Sequence, residues 1–259
     1  MVTLPKTATG FLRWRSWGEG PRRALLLHGA GSSGATWWQV GPALAAAGWR
    51  VKAPDLPSHG ASPRVNGRLT PERAADWVVA EPAARPYDLV IGHAFGAAVA
   101  LALLVRQPIG LVALEEPPGP NSVSWPARAT ALVGEVDAVR RDPEAAYLRC
   151  RTAQPRWADE DCRNAVRDLA SCAAGDVADG LRLGPTWPGL TPDPGRPTLV
   201  LAAPDAPGMN DRGDATVLRG ADRQSIRELA DTFTELDGGH WLHRDRPNDW
   251  LQAVLAFAG

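Results

Sequence analysis

The chain has 259 residues, which is enough for one sizeable hydrophobic core and a single large domain. Its hydrophobic content of 44% and charged content of 22% are ordinary for a globular protein and argue against a disordered chain. The formal net charge of −1 predicts no general attraction to nucleic acid or to an anionic membrane surface.

The first half of the chain alternates between apolar strand-like runs and helical patterns. A helix beginning at Thr70 is indicated by threonine as the cap with proline in the first turn. In chain order the predicted elements are strand Phe11–Trp17, strand Ala24–Leu27, helix Thr36–Ala47, strand Val51–Ala53, the helix from Thr70, strand Leu89–Ile91, helix Phe95–Val105 and strand Leu111–Leu114.

The alternation stops between about residues 117 and 194, where no strand-like run occurs and prolines bound the segment. This stretch predicts helices over Ser124–Arg140, Pro143–Thr152, Ala158–Cys172 and Gly175–Leu181. Strand Thr198–Ala202, helix Asp222–Leu229, strand Thr232–Leu236 and helix Pro247–Phe257 then complete the chain. We therefore expect a parallel α/β core over 1–116 and 195–259, with a helical lid inserted over 117–194.

Membrane spans, export signals and metal sites are not expected. No apolar run approaches the roughly 18 residues that a membrane helix needs, and the first twenty residues lack the apolar stretch of a signal peptide. Cys150, Cys162 and Cys172 are interpreted as small buried apolar groups in helices. These features together predict a cytoplasmic protein, and no histidine pair has the spacing and nearby carboxylate of a zinc site.

The segment Gly-His-Ala-Phe-Gly at residues 92–96 is the most informative feature of the sequence. In the Gly-x-Ser-x-Gly nucleophile elbow, a strained strand-to-helix turn presents a serine hydroxyl at its tip. Gly92 and Gly96 keep the turn, but Ala94 supplies only a methyl group. Three further turns also follow predicted strands: a His-Gly-Ala-Gly turn at 28–31, the segment 55–62, and a Gly-Gly-His turn that ends at His240.

With these four segments, the whole chain resembles the α/β-hydrolase fold family, and in particular its lidded branch of esterases, carbon–carbon bond hydrolases and related lyases. The resemblance implies that Ala94 occupies the nucleophile position and that His240 is the general base. It also implies that the backbone N–H groups of Ala30 and Phe95 form an oxyanion hole.

The acid that orients the histidine is left open among three residues. Asp205 follows the strand where the family usually keeps its acid, although its loop departs from the usual glycine-containing form. Glu115 ends the strand before the lid, where some relatives keep theirs, and Asp211 fits on spacing alone. We expect Asp205 to fill this role.

The lid tryptophans, including Trp125 and Trp157, either pack the lid onto the core or form an aromatic wall over an apolar or polycyclic substrate. His93 precedes the elbow residue and either bonds to the backbone or contacts substrate. His28, His59 and His243 are interpreted as structural. The expected partner is an apolar or aromatic small molecule, and no motif implies a cofactor.

Three functional hypotheses follow. In the first, the protein is a hydrolase of an ester, thioester or lactone in which Ala94 is an inactivating substitution. In the second, alanine is natural and His240 acts as a general base in cyclisation or lyase chemistry on a small natural product. In the third, the protein binds a ligand without transforming it.

Overall fold

The computed structural model describes residues 10–81, 86–119, 124–183, 196–205 and 216–259, which form a seven-stranded sheet with helices on both faces. The strand order is β1-β3-β2-β4-β5-β6-β7; β1 is antiparallel to β3, and the other pairs are parallel. The strands are β1 (Trp14–Trp17), β2 (Arg22–Leu27), β3 (Trp49–Pro54), β4 (Tyr87–His93), β5 (Ile109–Glu115), β6 (Thr198–Ala202) and β7 (Thr232–Glu235).

The helices outside the β5–β6 connection cover the two faces of this sheet. They are α1 (Val40–Ala46), α2 (Pro71–Ala80), α3 (Phe95–Leu104), α8 (Gly220–Leu229), α9 (Leu242–Asp245) and α10 (Pro247–Ala258). Leu25 and Leu27 of β2 pack into the core layer that contains α2 and α3, whereas Leu26 packs into the layer that contains α1 and α10. Because both faces are buried, the inner strands are continuous apolar runs. The predicted α/β class is thereby confirmed.

Two local predictions about helices have different outcomes. The predicted cap of α2 is confirmed, since the Thr70 side chain accepts a hydrogen bond from the Arg73 N–H (3.3 Å). The single helix expected over Thr36–Ala47 is wrong: a 3₁₀ turn over Gly34–Trp37 precedes α1. The Ser33 hydroxyl accepts from the Ala35 N–H (3.1 Å), so the first turn begins earlier than expected.

Within the described part of the connection from β5 to β6, four helices lie at the predicted places: α4 (Ser124–Arg141), α5 (Pro143–Ala153), α6 (Asp159–Ser171) and α7 (Ala174–Leu181). We call them the helical insert. Helix α6 is joined to the segment after β2 by two buried carboxylates. Asp168 accepts from the Ser33 hydroxyl (2.6 Å), and Asp161 accepts from the Trp38 indole N–H (2.8 Å). The insert is thus fixed to the core at α6.

The interpretation of the cysteines as three buried apolar groups is wrong for two of them. A disulfide joins Cys150 of α5 to Cys162 of α6, because helix packing brings their Cα atoms to 5.7 Å. Cys172 is a buried free thiol, and its burial raises its pKa to about 12. Asp211, one of the three candidate acids, and Trp187, a further tryptophan of the predicted lid, lie outside the described residues. None of the described helices is long and apolar enough to cross a membrane.

The disulfide predicts a specific thiol count. Unfolded in denaturant without reductant, the chain is expected to react with a thiol reagent at one cysteine, and at three after reduction, because Cys150 and Cys162 are bonded. The matched variant Cys172→Ser is expected to give no reactive thiol before reduction. Three reactive thiols before reduction would contradict the disulfide.

Candidate active site

Ala94 lies at a sharp turn between β4 and α3, with a backbone φ of 49° and ψ of −111°. The turn needs both flanking glycines. A Cβ on Gly92 would lie 2.3 Å from the Gly96 carbonyl oxygen, and a Cβ on Gly96 would lie 2.1 Å from that of Leu27. The Ala94 N–H donates to the carbonyl of Glu115 (2.9 Å), which ties the turn to the neighbouring strand. The strained geometry of an elbow is therefore present without a side-chain hydroxyl.

The turn after β2 lies directly beside Ala94. A Cβ built on Gly29 would be 3.6 Å from the Ala94 Cβ, and Ala30 and Phe95 both line the cavity that Ala94 faces. Among the described residues, the backbone N–H groups of Ala30 and Phe95 have no acceptor, whereas that of Gly31 donates to His59 (3.1 Å). Two backbone donors are thus available to an oxygen atom in the cavity.

Two buried histidines hold this turn in place. The Nδ1–H of His28 donates to the Gly29 carbonyl (2.8 Å), and its Nε2 accepts from Leu56 (2.8 Å). The Nδ1–H of His59 donates to the Pro57 carbonyl (2.9 Å), while its Nε2 accepts from Gly31. Burial is the main cause that lowers the pKa of His28 to about 4 and that of His59 to about 3. Both rings are therefore neutral at neutral pH and bond the backbone as structural groups.

His240, which follows β7, has its Nδ1 atom 3.5 Å from a carboxylate oxygen of Glu116. This separation lies at the long end of the hydrogen-bond range. Glu116 itself is fully buried and has a left-handed φ of 47°. Its carboxylate accepts hydrogen bonds from the N–H of Ala203 (2.7 Å), the hydroxyl of Thr216 (2.9 Å) and the N–H of Val217 (2.8 Å). These bonds fix the carboxylate behind the imidazole.

The expectation that Asp205 faces His240 is corrected. Asp205 is exposed, and its carboxylate accepts from the Gly220 N–H (3.3 Å). The physical reason lies in the ladder between β5 and β6. The Glu116 N–H continues this ladder by donating to Leu201 (2.8 Å), so that the Glu116 side chain occupies the space beside the imidazole.

Glu115, another of the three candidate acids, lies on the opposite side of β5. Its carboxylate accepts from Nδ1 of His243 (2.8 Å) and from the indole N–H of Trp250 (3.0 Å), and all three side chains are buried. It supports the core below the site and does not contact His240. The sequence analysis missed Glu116. The signal that could have found it is the pair of consecutive acids at the end of a buried strand, because each buried carboxylate needs its own hydrogen-bond donors.

His93 lines the cavity and contacts the segment 236–246 between β7 and α10, which carries His240 and which we call the histidine loop. Its Nε2–H donates to the His240 carbonyl (2.8 Å), and its ring centroid is 4.7 Å from that of His240. Burial is the largest cause that lowers the pKa of His93 well below its ordinary value, and the neighbouring histidines lower it further. The ring is therefore neutral and positions the backbone of residue 240.

A cavity of about 550 Å³ opens above Ala94, between the sheet edge and the helical insert. Trp125 and Trp157, the two predicted lining tryptophans, border it, together with His240 and both backbone donors. Trp157 also donates from its indole N–H to Asp245 (3.0 Å), which joins the insert to the histidine loop. The volume suits a small organic molecule.

The comparisons with known proteins agree with this geometry. The chain belongs to the alpha/beta hydrolase family, whose family model matches residues 24–254. It is 29% identical over 257 residues to the magnesium-chelatase 30 kDa subunit of Rhodobacter capsulatus, covering 88% of this chain and 86% of that protein.

Two other relatives are named as thioester- or ester-cleaving proteins. The pimeloyl-[acyl-carrier protein] methyl ester esterase of Aromatoleum aromaticum (strain DSM 19018 / LMG 30748 / EbN1) is 30% identical over 203 residues, which covers 70% of this chain and 79% of that protein. The structure of the thioesterase domain from the curacin biosynthetic pathway superposes with a TM-score of 0.68 at 23% identity, covering 94% of each chain. The latter likeness shows the fold.

The buried histidines predict a loss of stability on mild acidification. In the unfolded chain their pKa is near 6.5, whereas His28, His59 and His93 have lowered values when folded. The unfolded state therefore binds more protons, so stability is full above about pH 6.5 and falls as the pH drops through that value.

Between about pH 7 and about pH 5.5 these three groups are expected to lower the free energy of unfolding by about 4 kcal/mol in total. Asp168 opposes this change by about 1 kcal/mol, because burial raises its folded pKa to about 6 and its protonation favours the folded state. Urea unfolding at the two pH values should show a net loss of about 3 kcal/mol, reduced by about 1 kcal/mol in His59→Gln. Equal stability at both values would refute this account.

Proposed function

We propose that this chain carries the acyl-transfer site of a hydrolase for an ester, thioester or lactone of an apolar small molecule, with Ala94 in the place of the nucleophilic serine. One observation carries the proposal. The turn at Ala94, the imidazole of His240 and the free N–H groups of Ala30 and Phe95 all border a single cavity. Family membership supports the reaction class.

Each group has a role in that reaction. The elbow hydroxyl of an intact site would attack the substrate carbonyl and pass its proton to His240, which returns it to the leaving group. Glu116 would accept the Nδ1–H of His240 and stabilise the imidazolium. The N–H groups of Ala30 and Phe95 would bond the oxyanion of the tetrahedral intermediate. His93, Trp125 and Trp157 would border the bound substrate.

With alanine at position 94 no acyl-enzyme can form there. No other described nucleophile replaces the hydroxyl: Ser32 is buried and bonded to Asp168 (3.4 Å), and the Cys172 thiol is buried outside the cavity lining. Loss of the nucleophile in a serine protease lowers kcat by about 10⁶-fold. The chain as it stands is therefore an inactivated form of this site for acyl transfer.

A second candidate function rests on what the alanine leaves in place. The strained φ at Ala94, the buried Glu116 and its contact with His240 are all retained. A natural enzyme without the serine could use His240 to remove a proton from the substrate and hold the resulting enolate or alkoxide at the two N–H groups. The reaction class would be cyclisation or a lyase reaction on a small natural product. A ligand-binding protein without chemistry is the third candidate.

The helical insert is proposed to be a lid over this cavity, formed by residues 117–194 on a core of 1–116 and 195–259. Its helices α4, α5 and α6 contribute lining residues to the cavity, among them Trp125, Ala146 and Leu169. The disulfide between α5 and α6 and the Asp168 contact with Ser33 would keep this roof closed around an apolar ligand.

The variant Ala94→Ser tests the proposal directly. Because the base, its carboxylate and both backbone donors are already in place, the added hydroxyl is expected to raise the hydrolysis of activated aryl esters by at least about 10³-fold. The matched control Ala97→Ser adds a hydroxyl one turn along α3, away from the cavity lining, and should add no activity. The rate of chromophore release gives the measurement.

The double variant Ala94→Ser with His240→Ala should lose the gained activity, since the hydroxyl then has no base. If Ala94→Ser stays inactive although it folds, the acyl-transfer site is refuted. A search for proton abstraction by His240 would then separate the second candidate from the third, because a binding protein returns its ligand unchanged.

A further inference from the structure

The cavity is positively charged although the chain as a whole is not. Three arginines line it, Arg128, Arg149 and Arg244, whereas Glu135 is the single carboxylate among the described lining residues. The formal net charge of the complete chain is −1. A concave site with low-dielectric walls and charges of one sign concentrates oppositely charged ligands. The charges of this lining therefore favour an anion.

Arg244 contributes to this charge, but its guanidinium is already held by contacts within the protein. Its guanidinium lies between the rings of Trp241 (4.2 Å) and Trp157 (4.5 Å) and donates to the Thr36 hydroxyl (2.9 Å). Its charge also acts on the buried carboxylate of Asp168, whose pKa it helps to lower against the larger effect of burial. We therefore assign ligand contact to the other two arginines.

Arg128 of α4 has one of its two terminal guanidinium nitrogens on the side of the cavity. Its Nη1 donates to Glu135 (2.6 Å), and this ion pair is partly exposed to solvent. Its Nη2 atom lies towards the turn after β2, because a Cβ built on Gly31 would be 3.6 Å from it. An anion in the cavity could therefore bond Nη2 while Glu135 stays bonded to Nη1.

Among the three lining arginines, Arg149 of α5 is the one whose guanidinium is most available to a ligand. It is exposed and lines the cavity beside Cys150, and it forms no ion pair within the described part of the chain. The lining around it is apolar, with Ala146 and Ala153 on the same helix. A guanidinium at the border of an apolar cavity suits an amphipathic ligand with one anionic end.

We propose that the substrate of this site is an apolar molecule bearing a carboxylate or a similar anionic group, which Arg149 and Arg128 bind while the apolar body fills the cavity. The inference depends on the proposed function only in placing the substrate in this cavity.

Calorimetric titration of the unmodified protein with decanoate and with its neutral counterpart decanamide tests this inference. The two ligands share an apolar chain and differ in charge. Decanoate is expected to bind about five-fold more tightly, the upper range for a partly exposed ion pair. Arg149→Gln should reduce this preference, and the double variant Arg149→Gln with Arg128→Gln should abolish it. The affinity for decanamide should stay unchanged in both variants, which shows that the cavity is intact. Arg141→Gln, an exposed arginine of α4 outside the cavity lining, should keep the preference.

Equal affinity for the two ligands would overturn the inference, as would a failure of both to bind or a preference that survives in the double variant Arg149→Gln with Arg128→Gln. The titration needs no turnover. If Ala94→Ser is inactive but decanoate is still preferred, the hydrolase proposal is refuted and the anion site is retained. If Ala94→Ser is active but decanoate is not preferred, the anion site is refuted and the hydrolase proposal is retained.

Discussion

Two consecutive buried carboxylates at the end of β5 support both halves of the histidine loop. Glu115, the last residue of β5, bonds His243 and Trp250 on one side of the sheet. Glu116 follows it with a left-handed φ and faces His240 on the other side. Buried carboxylates are costly unless every oxygen is bonded. Backbone and side-chain donors satisfy both here, so the loop that carries His240 is held on two sides of the sheet.

The turn at Ala94 and the two free N–H groups of Ala30 and Phe95 are backbone features, and this explains why alanine is tolerated at the centre of the site. The turn at Ala94 depends on Gly92 and Gly96, and the neighbouring N–H groups depend on the turn that His28 and His59 hold. None of these contacts involves a side chain at position 94. The same backbone scaffold can therefore form whether residue 94 carries a nucleophile or not. A change of side chain at position 94 should alter the reaction without altering the fold.

The sequence predicts the order of strands and helices because buried parallel strands are continuous apolar runs bounded by glycine or proline. It also predicts the turn at Ala94, since only glycines fit on either side. It could not choose Glu116 over Asp205: both follow strands that end at the same sheet edge, and the choice depends on which carboxylate the β5–β6 ladder directs inwards. Nor could it predict the disulfide at Cys150, because pairing depends on how α5 packs on α6.

The central claim is that Glu116 is the carboxylate that orients His240. In the Ala94→Ser background, Glu116→Gln is expected to lower kcat by about 10⁴-fold, as loss of the orienting acid does in serine proteases, because the imidazole is left in the wrong tautomer. Asp205→Asn in the same background should change kcat by less than about two-fold, since that carboxylate is exposed and bonds Gly220. The reverse ranking, with both variants folded, would contradict the account.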